Sequence, residues 1–187
     1  MARPAAGHDH RPPAHHHRRA PQHPRQHLTA PLLTTTERRY QLDPTAIDVD
    51  LWQFTTAIAA TNSAVSSPQR QNALAKVVER YHGDLAGNTE WPWLAEHRET
   101  VRTHALETYT ELAAHAPPEH AITLLRAAAT IDPLHEGTHR QLISLLIETG
   151  DHDAANRLYV SLTTRIANAG LSAGSALTDL ADQLARG

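Results

Sequence analysis

The sequence predicts an all-α fold: a right-handed stack of about seven antiparallel helices, preceded by a disordered N-terminal tail. Three observations predict it. Residues 116–147 and 150–181 carry one pattern displaced by 34 positions, so that Ala116 recurs as Gly150, Glu119 as Asp153, Ala121 as Ala155, Leu124 as Leu158 and Leu125 as Tyr159. The same offset links Tyr109 to Ile143 and Leu112 to Leu146, and carries these on to Leu177 and Leu180. Apolar residues also recur at helical spacing from residue 48 onward, and Pro and Gly fall where helices of ordinary length should start and stop.

Residues 1–31 are rich in Ala, Arg, His and Pro, lack apolar periodicity and are expected to be disordered. Residues 32–47 read as a β-hairpin remnant and linker. Leu32-Leu33-Thr34-Thr35-Thr36 and Tyr40-Gln41-Leu42 are the β-prone runs, Glu37-Arg38-Arg39 the turn, and Asp43-Pro44 the stop. The helical domain then spans 48–187. Its first helix starts near Asp48 or Asp50, either able to cap it, and runs to about Ser63 with an apolar stripe of Leu51, Phe54, Thr55 and Ile58. Ser67-Pro68 opens the second, which carries Leu74, Val77, Val78 and Tyr81 until Gly83.

After Trp91-Pro92-Trp93, one long helix reaches about His115 with Leu94, Val101, Ala105, Tyr109 and Leu112 inward. Pro117-Pro118 ends it and opens a helix over 118–131. Asp132-Pro133, Gly150-Asp151 and Gly170 separate three more, near 134–149, 151–168 and 173–186. A fixed 34-residue period in helical sequence marks tetratricopeptide-type helix pairs. Each pair cannot bury its own apolar face, so neighbours stack and expose a grooved surface suited to binding rather than catalysis.

Charge divides the chain. Residues 1–36 hold five arginines against Asp9, a net of +4, while the remainder holds 12 basic and 19 acidic residues, a net of −7. Nucleic-acid affinity comes mainly from cationic side chains, so only the tail is suited to weak, nonspecific DNA contact. The absence of cysteine excludes disulfides and thiolate metal sites. No apolar run approaches the roughly 20 residues that cross a bilayer, and the start lacks the apolar stretch of a secretory signal. A cytoplasmic protein without membrane attachment is the simplest expectation.

Several segments carry a family resemblance. They are Val49-Asp50-Leu51-Trp52-Gln53-Phe54, Tyr81-His82-Gly83-Asp84-Leu85, Glu90-Trp91 and Glu96-x-Arg98. To these add Ala127 through Asp132-Pro133-Leu134 with His139-Arg140, and Gly150-Asp151 before Ala154-Ala155. In order and spacing they resemble the bacterial transcriptional activator domain of the Streptomyces antibiotic regulatory proteins, over about residues 48–186. That family usually carries a winged-helix DNA-binding domain directly before this module, and residues 33–43 look like its final wing hairpin. Nothing earlier resembles a recognition helix. The resemblance therefore implies a regulator module without a complete DNA reader. Two origins stand open: a regulator built that way, or a truncated or shifted reading frame in a GC-rich gene.

Other motifs compete with that reading. His135-Glu136-Gly137-Thr138-His139 matches H-E-x-x-H, in which two imidazoles hold zinc and the glutamate activates its water. Gly137 lies inside the motif, the motif follows directly on Asp132-Pro133, and His139 shares helical spacing with Leu142, Ile143 and Leu146. We therefore expect an interface histidine, with no catalytic, metal or cofactor site. The tail histidines His8, His10, His15, His16, His17, His23 and His27 could take Zn²⁺ or Ni²⁺, but without fixed geometry such binding is adventitious.

Trp91 and Trp93 have two readings. The favoured one has them clamp the long helix onto the first two; the other leaves an indole for a partner. The sequence thus yields a non-enzymatic transcription-regulator module acting through protein partners, among them a second copy or the transcription machinery. Candidate contact residues are Trp91, Trp93, Arg98, Arg102 and Tyr109. The alternative is a tetratricopeptide adaptor unrelated to transcription.

Overall fold

The computed structural model describes residues 32–36, 39–87 and 89–184. The chain divides into two compact units, one ending at Ile47 and the other starting at Asp48. The tail expectation for 1–31, its histidines included, lies outside the described residues, as do Glu37 and Arg38 of the expected turn.

In the first unit, β1 (Leu33–Thr36) pairs antiparallel with β2 (Arg39–Leu42), Leu33 opposite Leu42 and Thr36 opposite Arg39. Arg39 belongs to the strand, not the turn. Asp43 then closes the hairpin, its amide donating to the Leu32 carbonyl at 2.9 Å. Its carboxylate accepts from the Thr45 amide and hydroxyl at 2.9 and 2.7 Å, an Asx turn that ends strand pairing. Leu33, Tyr40 and Leu42 are all exposed.

The second unit contains seven helices among the described residues: α1 (Asp50–Asn62), α2 (Ser67–Arg80), α3 (Leu94–Ala114), α4 (Pro118–Ile131), α5 (Glu136–Glu148), α6 (His152–Asn168) and α7 (Ser175–Leu184). α1 to α6 each pack mainly on a sequence neighbour, whereas α7 folds back chiefly onto α5 and less onto α6. Connections of a few residues join all but α2 to α3, which favours antiparallel neighbours.

The 34-residue period has a direct structural counterpart. α4 and α6 begin 34 positions apart, at Pro118 and His152, and α3 and α5 end 34 apart, at Ala114 and Glu148. Ala121 and Ala155 are both buried, and so are Ile143 with Leu177 and Leu146 with Leu180. Small residues at the first of these pairs let facing helices approach closely, while the branched residues fill the space between them. Gly150 and Gly170 end α5 and α6 at φ +84° and +71°. In both, the following residue's amide reaches back to the last turn: Asp151 to the Leu146 carbonyl at 2.8 Å, Leu171 to Ile166 at 3.0 Å. These are Schellman ends, which favour glycine. Asp151 then caps α6, accepting from the Ala154 amide at 3.0 Å.

At α1 two expectations fail. Neither Asp48 nor Asp50 caps the helix; Val49 stands at that position, and Asp50 is the first helical residue. The Asp50 carboxylate takes the adjacent Leu51 amide, and Asp48 takes the Gln53 side chain. Thr55 is exposed, whereas Ala57 and Thr61 are buried with Phe54. Helical geometry selects positions 54, 57 and 61 as one face, and Thr61 can bury there because its hydroxyl donates to the Ile58 carbonyl at 2.7 Å. On α3, Leu94 and Ala105 are buried as expected, joined by Thr108 and Ala113, while Val101, Tyr109 and Leu112 are half-buried.

Candidate functional site

The segment between α2 and α3 is where sequence candidates converge. Arg98, one turn into α3, donates its Nε to the Leu85 carbonyl at 2.8 Å and its Nη2 to the carbonyls of Gly87 at 2.9 Å and Thr89 at 2.5 Å. Ala86, between the first two of these carbonyls, is held at φ +56°, a left-handed conformation that alanine seldom adopts. Arg102, four residues on, forms a two-pronged pair with Asp84 at 2.8 and 2.6 Å. That contact holds the Asp84 carboxyl below its ordinary range and raises the Arg102 guanidinium. Both arginines are therefore engaged within the fold.

Tyr109 is also internal. Its ring meets Tyr81 edge-on with centroids 6.4 Å apart, and Tyr81 in turn packs on Phe54 at 6.1 Å. Burial pushes both tyrosine hydroxyls up from their ordinary pKa. The aromatic line connects α1, the end of α2 and α3.

The clamp reading of the tryptophans is overturned. Trp91 is 54% and Trp93 62% exposed, and instead of fastening helices the two indoles stack on each other at 5.5 Å and 22°. Trp93 stands at the start of α3, where the chain turns to satisfy helix geometry, so its side chain falls outside the buried stripe that begins with Leu94. Trp52 is exposed as well. Of the five candidate contact residues, only the two indoles face solvent without an internal hydrogen-bonding task.

An open groove of ≈ 650 Å³ lies on the repeat part of the domain. Ala113, Ala121, Leu125 and Leu180 form its apolar surface, with Arg140, Glu148 and Asp179 as charged lining. α3, α4, α5 and α7 all contribute. A smaller cavity of ≈ 390 Å³, lined by Leu51, Phe54, Tyr81 and Val101 among others, sits beside the α2–α3 segment.

The H-E-x-x-H residues serve three separate ends. His135 caps α5, its Nδ1 accepting from the Thr138 amide at 3.1 Å. The Glu136 carboxylate accepts from the Gly174 amide at 2.9 and 3.2 Å and anchors the approach to α7. A Cβ at position 174 would stand 2.8 Å from that carboxylate. His139 is fully buried, its Nδ1 3.1 Å from the His135 carbonyl and its Nε2 unpartnered. Burial foremost lowers its pKa, helped by the charge of Arg165 and opposed by the His135 carbonyl and by Asp132. Among the described residues no three or more His, Cys, Asp or Glu gather as metal ligands.

Two structural links went unread in the sequence. Arg70 of α2 pairs with Glu111 of α3 and also donates to the Thr61 carbonyl of α1 at 3.0 Å, so one guanidinium ties three helices. The other is the Glu136–Gly174 anchor. Both join residues far apart in sequence, which no local pattern encodes.

The family model of the bacterial transcriptional activator domain matches residues 49–185. The chain belongs to that family. No curated protein and no solved structure matches it. The activator domain is a regulatory family rather than an enzyme family, and a role in transcription regulation follows. Of the residues that carried the resemblance, Asp84 pairs with Arg102, Arg98 holds the carbonyls of Leu85, Gly87 and Thr89, and Gly150-Asp151 joins a helix stop to a helix start. No helix among the described residues is long and apolar enough to cross a membrane.

Proposed function

We propose that the activator domain regulates transcription by binding protein, and that a partner segment enters the groove on the repeat part. The supporting observation is the groove itself: ≈ 650 Å³ of open space with an alanine- and leucine-rich wall and charged residues around it. Such a surface receives a peptide or helix by apolar burial, with the charges setting its direction. The partner classes are a second copy of the chain and the transcription machinery, met in the cytoplasm.

We also propose that the domain does not itself read DNA. Residues 37–187 carry a net charge of −7, which repels phosphate. Gel shifts with the full chain test this; sequence-selective binding that persists at high salt would refute it.

For the groove, Ala114→Trp is the decisive variant, because Ala114 is exposed and lines it. The expected outcome is loss of the transcript changes that the wild-type chain causes, at an unchanged melting temperature. Wild-type regulation by the variant would remove the groove from the mechanism. Transcript levels indifferent to the chain altogether would favour the adaptor reading.

A further inference from the structure

The chain on either side of the stacked indoles is tied by backbone hydrogen bonds. The Trp91 carbonyl accepts from the Leu94 amide at 2.9 Å, and Arg98 holds the preceding chain at three carbonyls. Two large rings thus stack on each other and are more than half exposed, a costly arrangement for the free protein. Trp93 and His97 form a T-shaped pair, with centroids 6.1 Å apart. Among the described residues no arginine or lysine stacks on either ring. Arg98 and Arg102, farther along α3, are already engaged.

The charges beside the pair are negative. Glu90 precedes Trp91, and Glu96 lies three residues beyond Trp93, a neighbouring position on the helix surface. Both are exposed, and neither forms an ion pair among the described residues. Indole faces attract cations, and carboxylates accept planar, two-pronged hydrogen bonds from guanidinium. Arginine does both at once; lysine offers only a point charge. Nucleic-acid bases also stack on indoles, but the sites that hold them track the phosphates with basic grooves, and here the flanks are acidic.

We propose that Trp91 and Trp93, with Glu90 and Glu96, form a docking site for an arginine-bearing basic segment of a protein partner. It rests on reading the domain as a protein-binding module, and it is separate from the groove. The test titrates the full chain with a short Gly/Ser peptide carrying arginines, followed by tryptophan fluorescence and calorimetry. The same peptide with lysines, and with glutamines, provides the comparison.

The arginine peptide should bind about tenfold more tightly than the lysine peptide, and the glutamine peptide not measurably. Trp91→Leu and Trp93→Leu should each weaken binding by about tenfold, with Trp91→Phe retaining part of it. Glu90→Gln combined with Glu96→Gln should weaken binding and flatten its salt dependence. Both rings are exposed, so the variants should melt as the wild type does, which a thermal scan verifies. Equal binding of the glutamine peptide, or indifference to both leucine variants, would overturn the proposal. So would self-association of the chain that Trp91→Leu abolishes and Glu90→Gln with Glu96→Gln leaves intact, since two copies would then meet through the indoles and not through an arginine. Ala114→Trp should leave arginine binding unchanged, so failure of the groove reading and failure of this one are distinguishable.

Discussion

The repeat half of the domain, α4 to α7, and the half formed by α1 to α3 are held by different forces. In the repeats, cohesion comes from buried aliphatic side chains: Leu124, Leu125, Leu142, Ile143, Leu146, Leu162, Ile166, Leu177 and Leu180 form one cluster with Ala121, Ala155 and, from the end of α3, Ala113. In the first half the fully buried apolar cluster is smaller, Phe54, Ala57, Val77 and Ala105, and polar links supplement it. Arg70 ties α1 and α2 to α3, Arg98 holds three loop carbonyls, and Arg102 holds Asp84. Burial is nondirectional and leaves a periodic trace; guanidinium links are directional and leave none.

Leu162→Ala should produce the largest effect that separates the halves. Its side chain is completely buried, so the substitution should cost about 2–5 kcal/mol of unfolding free energy, read from the urea midpoint at constant slope. Arg98→Ala should cost less, about 1.5–3 kcal/mol, the range for hydrogen bonds to charged groups. Its effect should also be local. Amide exchange should accelerate across 83–90 while α4 to α7 stay protected. Arg98→Lys should recover little, because one ammonium cannot reproduce the fork that spans Leu85, Gly87 and Thr89. Equal loss of protection in both halves would show that the two are one cooperative unit and break the comparison.

That contrast explains what the sequence made legible. The starts of α4 and α6, the Schellman glycines and the apolar register of α5 and α7 follow from local pattern and a 34-residue offset. The hairpin and the seven helices were readable for the same reason. The α1 cap was not, because two aspartates stood within reach and competing side-chain contacts chose between them. Nor were the surroundings of Trp91, Trp93, Arg98 and Arg102. Residue type suggested contact with a partner, but whether a guanidinium faces outward depends on where the loop carbonyls lie, and that is fixed only once α2 and α3 are packed.

His139 brings a titratable group into the aliphatic half. Its folded pKa lies below the ordinary 6.5, so its neutral form is favoured by folding. The corresponding stability is fully present above the unfolded value and declines as pH falls below about 6.5 toward the lowered folded value. The carboxylates of Asp84 and Glu111, also lowered, act in the same direction but only nearer pH 4 and below. His139→Leu should therefore reduce the loss of stability that sets in below about pH 6.5 while leaving the loss nearer pH 4 in place. Urea midpoints across that range measure it. An unchanged slope would mean that the unpartnered Nε2 gains a partner when protonated.

The smallest expected effect tests the other half. Arg102 and Asp84 form a two-pronged pair, yet their side chains are each 42% exposed, so solvent screens the attraction. Asp84→Asn should cost about 0.2–1 kcal/mol at low salt and less at high salt. The pair matters less for its energy than for its place: it fixes one end of the segment whose other end presents the indoles. If so, Asp84→Asn should loosen amides at 84–87 more than it lowers the global midpoint. A midpoint shift as large as that of Arg98→Ala would instead make the pair a principal support of the half that apolar burial alone does not hold.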